Sequence, residues 1–259
     1  GGCSGPHRWS DDSRSIVKDH KEKKGFLTMK TKAFALVGAA GVAVLASSAM
    51  GGILGVSIES YIGDGWADNG YDSGAMSTYR LYANFDGLGD DGVLSAYGIS
   101  GVPATVTSSN GLFWNAETGL DSNTAPSDLR FLGIWANQWD TYVTIGTDTA
   151  DGDATSLSPG FATETNSLAS DWSSQNVGWF VTPDDDQSIA VERGEVYSVL
   201  LAQFTVMNDA DSTDISGLIN VLTREGVEEN GFTFSTATPA PGALALLGLA
   251  GLAGRRRRH

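Results

Sequence analysis

The sequence predicts an all-β fold, an antiparallel two-sheet sandwich of jelly-roll type, flanked by an N-terminal signal helix and a short hydrophobic C-terminal helix. Three observations lead there. Between residues 50 and 236 the chain is a succession of short apolar or alternating runs separated by Gly, Asp, Asn and Ser. The best of these runs are rich in β-branched and aromatic residues, which suit a pleated, half-buried surface. No stretch of this region rivals them with an apolar repeat at helical spacing. A parallel β-solenoid would use similar strands, but it needs a repeat of fixed period, and none is visible.

Ten strands are expected: Leu54 to Tyr61, Thr78 to Phe85, Gly92 to Ile99, Ala104 to Ser108, Gly111 to Asn115, Asp140 to Thr147, Val177 to Thr182, Tyr197 to Met207, Ser216 to Thr223 and Gly231 to Thr236. In the second, alternation places Tyr79, Leu81, Ala83 and Phe85 on a buried face and Arg80, Tyr82 and Asn84 on a wet one. Asn110-Gly111 is a turn signal that would close a hairpin between Ala104 to Ser108 and Leu112 to Asn115. Thr141 to Thr147 alternates again, with Tyr142, Val143 and Ile145 of high strand propensity. Val199 to Val206 is more continuously apolar, as a central strand covered on both sides should be.

Ahead of the strands, Met29 opens a secretory signal: Lys30 and Lys32 form its basic region, Ala33 to Leu45 its apolar region, and Ala46-Ser47-Ser48-Ala49 supplies the small residues that a signal peptidase reads. Cleavage is expected after Ala49, with Gly51 as the alternative. This reading puts the start of the natural product at Met29 and leaves residues 1–28, polar and unpatterned, as an upstream segment outside it. The expected organisation is therefore 1–28 upstream, 29–49 signal peptide, 50–236 sandwich domain and 237–259 tail.

The tail has three parts: Pro239-Ala240-Pro241, an uncharged run from Gly242 to Gly254, and Arg255-Arg256-Arg257-Arg258 before His259. The 13 residues of the run, at about 1.5 Å each, span roughly 20 Å against a hydrocarbon core of about 30 Å. Such a segment suits transient membrane insertion better than permanent anchoring, and the arginines resist translocation. The tail resembles that of the PEP-CTERM proteins of bacteria, with Ala240 where the family usually has Glu. The resemblance covers about 21 residues of the 259. It implies handling by an exosortase-like enzyme, removal of the tail near the motif, and a role with exopolysaccharide or biofilm material.

Charge narrows the chemistry. Between Met50 and Gly254 four arginines, Arg80, Arg130, Arg193 and Arg224, stand against 27 Asp and Glu, a formal balance of −23. Such a surface repels phosphate backbones, so no nucleic-acid partner is expected, and cations or neutral polymers suit it better. The same stretch has no Cys, His or Lys, since Cys3, His7, His20 and His259 all lie in the flanks. That removes Ser-His-Asp and Cys-His catalysis, His-ligated metals and Schiff bases. Paired carboxylates, as in glycoside hydrolysis, are the catalytic option left.

Two candidate sites follow from residue type and spacing. Asp148, Asp151 and Asp153 surround Gly152 in a loop that could wrap calcium, although Ala150 at the third position and the lack of Glu at the twelfth depart from an EF-hand. The alternative is a solvated turn shaped by Asp and Gly. Asp86 to Gly92 and Asp184 to Asp186 are similar loops. Trp135 and Trp139, beside Asn137 and Gln138, could form a sugar-stacking pair, against the alternative that they fill the core. The reading that follows is an exported, non-enzymatic envelope or matrix protein without a cofactor other than calcium. A carbohydrate-binding module and a carboxylate-based glycosidase are the alternatives.

Overall fold

A computed structural model of the chain describes residues 52–61, 75–115, 123–127, 136–207 and 214–237. Both expected terminal helices, with Ala49, Pro239, Ala240, Pro241 and Arg255 to Arg258, lie outside these residues, as do Trp66, Trp135 and Arg130.

The fold is an all-β sandwich of two antiparallel sheets, one of them strongly curled. In chain order the strands are β1 (Ile53–Tyr61), β2 (Met76–Phe85), β3 (Val93–Tyr97), β4 (Ala104–Ser108), β5 (Tyr142–Val143), β6 (Ser156–Leu157), β7 (Trp172–Ser174), β8 (Gly178–Phe180), β9 (Val191–Arg193), β10 (Val196–Met207), β11 (Ile215–Thr223) and β12 (Glu228–Ser235). A single-turn helix, α1 (Phe161–Glu164), precedes β7. The first sheet runs β1-β2-β10-β5, with β9 also on β10; the second runs β6-β8-β3-β11-β4-β7, with β12 also on β11.

Alternation decides which residues meet between the sheets. Leu81, Ala83 and Phe85 of β2 join Val199, Phe204 and Val206 of β10 in a core that also takes Val106, Ile219 and Trp179 from the second sheet. Each large apolar side chain buried this way contributes about 1.5–3 kcal/mol. Phe113 packs on Phe204 with ring centroids 5.5 Å apart, and Phe161 meets Trp179 edge-on at 6.1 Å.

Three expectations are corrected by the pairing. The Asn110-Gly111 turn does not close a hairpin, because β4 already pairs with β11 on one edge and β7 on the other. Residues 111–115 instead bond to two separate segments: Leu112 bridges Ser170 and Phe113 N donates to the adjacent Ala169 carbonyl, whereas Trp114 N donates to that of Thr205 on β10. The strand expected over Asp140 to Thr147 shortens to β5, since β10 bulges between Leu200 and Ala202 and carries the pairing off register. The face of β2 expected to be wet is covered: Tyr82 is only 7% exposed and lies beneath Arg193.

Both faces of β10 are indeed covered, but the outer cover is polar. Gln203, fully buried, accepts from Arg80 Nε at 2.8 Å and donates to the carbonyls of Gln138 and Asp140, both at 2.9 Å. Asn220 does the same in the second sheet. It donates to the carbonyls of Tyr97 and Val102 where the chain passes from β3 to β4, and accepts from Gly231 N. These amides satisfy backbone groups that the ladders leave over.

A left-handed turn links α1 to β7. Asn166, Ser167 and Leu168 have φ of 52°, 52° and 59°, although each such non-glycine residue costs about 1–2 kcal/mol and normally occurs singly. The turn is closed by Leu168 N on the Thr165 carbonyl and Ala169 N on that of Asn166, both at 3.0 Å. Leu168 is wholly buried in the core, which offsets part of the strain.

Candidate functional site

The residues that converge on the outer face of the first sheet do so by register. Antiparallel pairing sets Glu59, Arg80, Gln203 and Tyr142 in one row across β1, β2, β10 and β5. The neighbouring row holds Ser57, Tyr82 and Leu200. Directly paired residues share a face, so these side chains emerge together.

Arg80 is the centre of the arrangement. Its guanidinium lies 3.6 Å over the ring of Tyr61, its Nε is held by Gln203, and its Nη2 is 3.2 Å from Asp148 Oδ2. Burial works against its charge, but Tyr142, Tyr61, Tyr82 and the Asp148 carboxylate more than offset that, and its pKa is raised. Tyr142 is fully buried beside it, and burial pushes its phenol far above the ordinary range. The Tyr142 hydroxyl has no hydrogen-bond partner among the described residues.

Arg193 comes from the other side. It follows Val191 on β9, and the β9–β10 turn is only two residues long, with Gly194 at φ 66°. From there its side chain crosses the sheet face, stacks 3.7 Å over Tyr82 and reaches Glu59 Oε2 on β1 at 3.0 Å. Between the two arginines lies a hollow of about 240 Å³. Its floor is Tyr82, Ser198 and Leu200; Arg80, Asp148 and Gly146 form one end, and Ile189, Val191 and Arg193 the other. Ser198 donates to Asn84 Oδ1 at 2.9 Å, which fixes its hydroxyl. Chemically this is a shallow polar recess with charge-paired walls and an aliphatic lip.

The expected calcium loop is arranged differently. Asp148 turns to Arg80, whereas Asp153 Oδ1 accepts from Thr155 N at 2.9 Å and Gln187 Nε2 at 3.0 Å, and Asp151 is exposed. Among the described residues no three acidic side chains are grouped so as to hold a metal ion. The similar loops also use their carboxylates locally. Asp86 accepts from Leu88 N, Asp91 from Gly87 N, Asp90 pairs with Arg224, and Asp185 accepts from Gln187 N.

Trp139 is 1% exposed, so it offers no face for a sugar to stack on, which corrects the expectation of an exposed Trp135–Trp139 pair. Trp172 and Trp179 are also buried. The recess itself was not anticipated, because its parts are far apart in sequence. The available signal was the rarity of arginine in an acidic domain: two of the four lie here.

No helix among the described residues is long and apolar enough to cross a membrane. No protein-family model matches the chain, and no curated protein and no solved structure shows significant similarity to it.

Proposed function

We infer that the chain is a non-enzymatic protein of the bacterial cell envelope or extracellular matrix. It is exported by the secretory route, held briefly at the inner membrane by its tail, and processed there by an exosortase-like enzyme after signal peptidase has acted. The observation that carries this reading is the placement of two address segments around an acidic β domain. Met29 to Ala49 precedes it, and Pro239-Ala240-Pro241 with Arg255 to Arg258 follows it. The PEP-CTERM resemblance adds association with exopolysaccharide.

The non-enzymatic part has separate support. The domain has no His, Lys or Cys. Among the described residues the recess on the first sheet is lined by one carboxylate, Asp148, already paired with Arg80, whereas glycoside hydrolysis generally uses two flanking the scissile bond. Mass spectrometry of the protein recovered from its native host tests the reading. A C-terminus near Pro241 is expected, and a mature chain still ending in Arg258-His259 would refute it.

A further inference from the structure

We propose that the recess between Arg80, Asp148 and Val191 is a subsite for one ring of a neutral saccharide. The proposal rests on the reading of the chain as a displayed, non-enzymatic module and names what that module holds. At about 240 Å³ the hollow is smaller than sites that enclose drug-sized ligands, roughly 300–1,000 Å³, and matches a single sugar ring better than an extended one.

The polar groups suit vicinal hydroxyls. Arg80 is fixed by Tyr61 beneath it and by Gln203 on Nε, and Nη2 is committed to Asp148, so only Nη1 lacks an acceptor among the described residues. Asp148, half exposed, meets Arg80 through Oδ2 and keeps Oδ1 as an acceptor. A guanidinium donor beside a carboxylate acceptor complements two neighbouring hydroxyls, each of which both accepts and donates. The lip supplies the other half of sugar recognition: Val191 is 60% and Ile189 40% exposed, and they present aliphatic surface to the C–H face of a ring. All of these groups except Asp148 and Ile189 stand on strands, which keeps the recess preformed.

Charge selects the neutral class. Arg80 and Arg193 each already face a carboxylate, Asp148 and Glu59. An acidic sugar would have to displace one of these or sit against it, in a domain with a balance of −23. A neutral sugar meets no such opposition.

Calorimetric titration of the full chain with maltohexaose, laminarihexaose, xylohexaose and hexagalacturonate tests this. At least one neutral oligomer should bind saturably with Kd of about 0.1–1 mM, the scale for a single shallow subsite. Asp148→Ala and Val191→Asp, checked for unchanged unfolding temperature, should each weaken it about tenfold or more. Absence of saturable heat with every neutral oligomer, tighter binding of hexagalacturonate, or unchanged affinity in both variants overturns the proposal. The C-terminal mass decides the sorting reading separately, so failure of one leaves the other standing.

Discussion

Trp179 Nε1 donates to the Leu201 carbonyl at 3.0 Å, tying β8 of one sheet to the bulged residue of β10 in the other. The same indole N–H reaches the Thr144 carbonyl at 3.0 Å, so one fully buried side chain bridges two carbonyls beside the bulge, of which that of Leu201 also accepts from Thr144 N at 2.9 Å. A bulge re-aims backbone groups, and here the opposite sheet supplies the donor.

Trp179→Phe keeps an aromatic ring in the core but removes that donor. Buried acceptors that lose a partner cost about 1–3 kcal/mol, and the smaller ring adds a cavity contribution. Urea unfolding of the variant should show a loss of at least about 1 kcal/mol. An unchanged midpoint would mean that the hydrogen bonds between the sheets contribute nothing net.

Gln203 joins the first sheet to the segment that covers its outer face. Replacing it with Leu removes the acceptor of Arg80 Nε and the side-chain donor to the carbonyls of Gln138 and Asp140. A loss of about 2–4 kcal/mol is expected in thermal or denaturant unfolding. Stability equal to wild type would show that the polar layer over β10 rearranges freely.

Ser167 is exposed and sits at φ 52° in the left-handed turn. Ser167→Gly removes the Cβ strain there, at the expense of a more flexible unfolded chain, for a net gain of about 0.5–1 kcal/mol. For a domain of this size that corresponds to a rise of about 1–4 °C in Tm. Ser167→Ala, which keeps the Cβ, should show no such rise.

Asp91 is 8% exposed, and its pKa is raised above the ordinary 3.8, first by burial and then by the charges of Asp86 and Glu225, against hydrogen bonds from Gly87 and Leu88. A carboxyl with a raised folded-state pKa binds its proton more tightly when folded. Its favourable contribution is therefore complete below 3.8 and lost as pH rises through the raised value. Asp91→Asn keeps an oxygen for Gly87 N and never ionises. Its stability relative to wild type should improve from acid to neutral pH, and a difference independent of pH would contradict the assignment.

The strands were largely legible from alternation. β2, β4, β10 and β11 lie within a residue or two of where pattern placed them, because their apolar faces are long enough to show a period of two. β6, β7 and β9, of two or three residues, carry too little pattern to be seen. The turn at Asn110-Gly111 was visible, but not what followed it, since which strand occupies the edge of β4 is decided by β7 and β11, more than 60 residues away. The recess was illegible for the same reason: Arg80, Asp148 and Arg193 are distant in sequence and meet only through pairing.

Local pattern alone determined the β class, the acidity and the chemistry that an absence of His, Lys and Cys between residues 50 and 254 removes, because these depend on composition and on the alternation of neighbouring side chains. It also supplied the two terminal segments that the proposed function reads as addresses. Only the tertiary structure decided which carboxylates meet arginines, which tryptophans are buried and where a recess opens. Those outcomes depend on strand order, bulges and which face each sheet turns inward, and long-range packing settles all three.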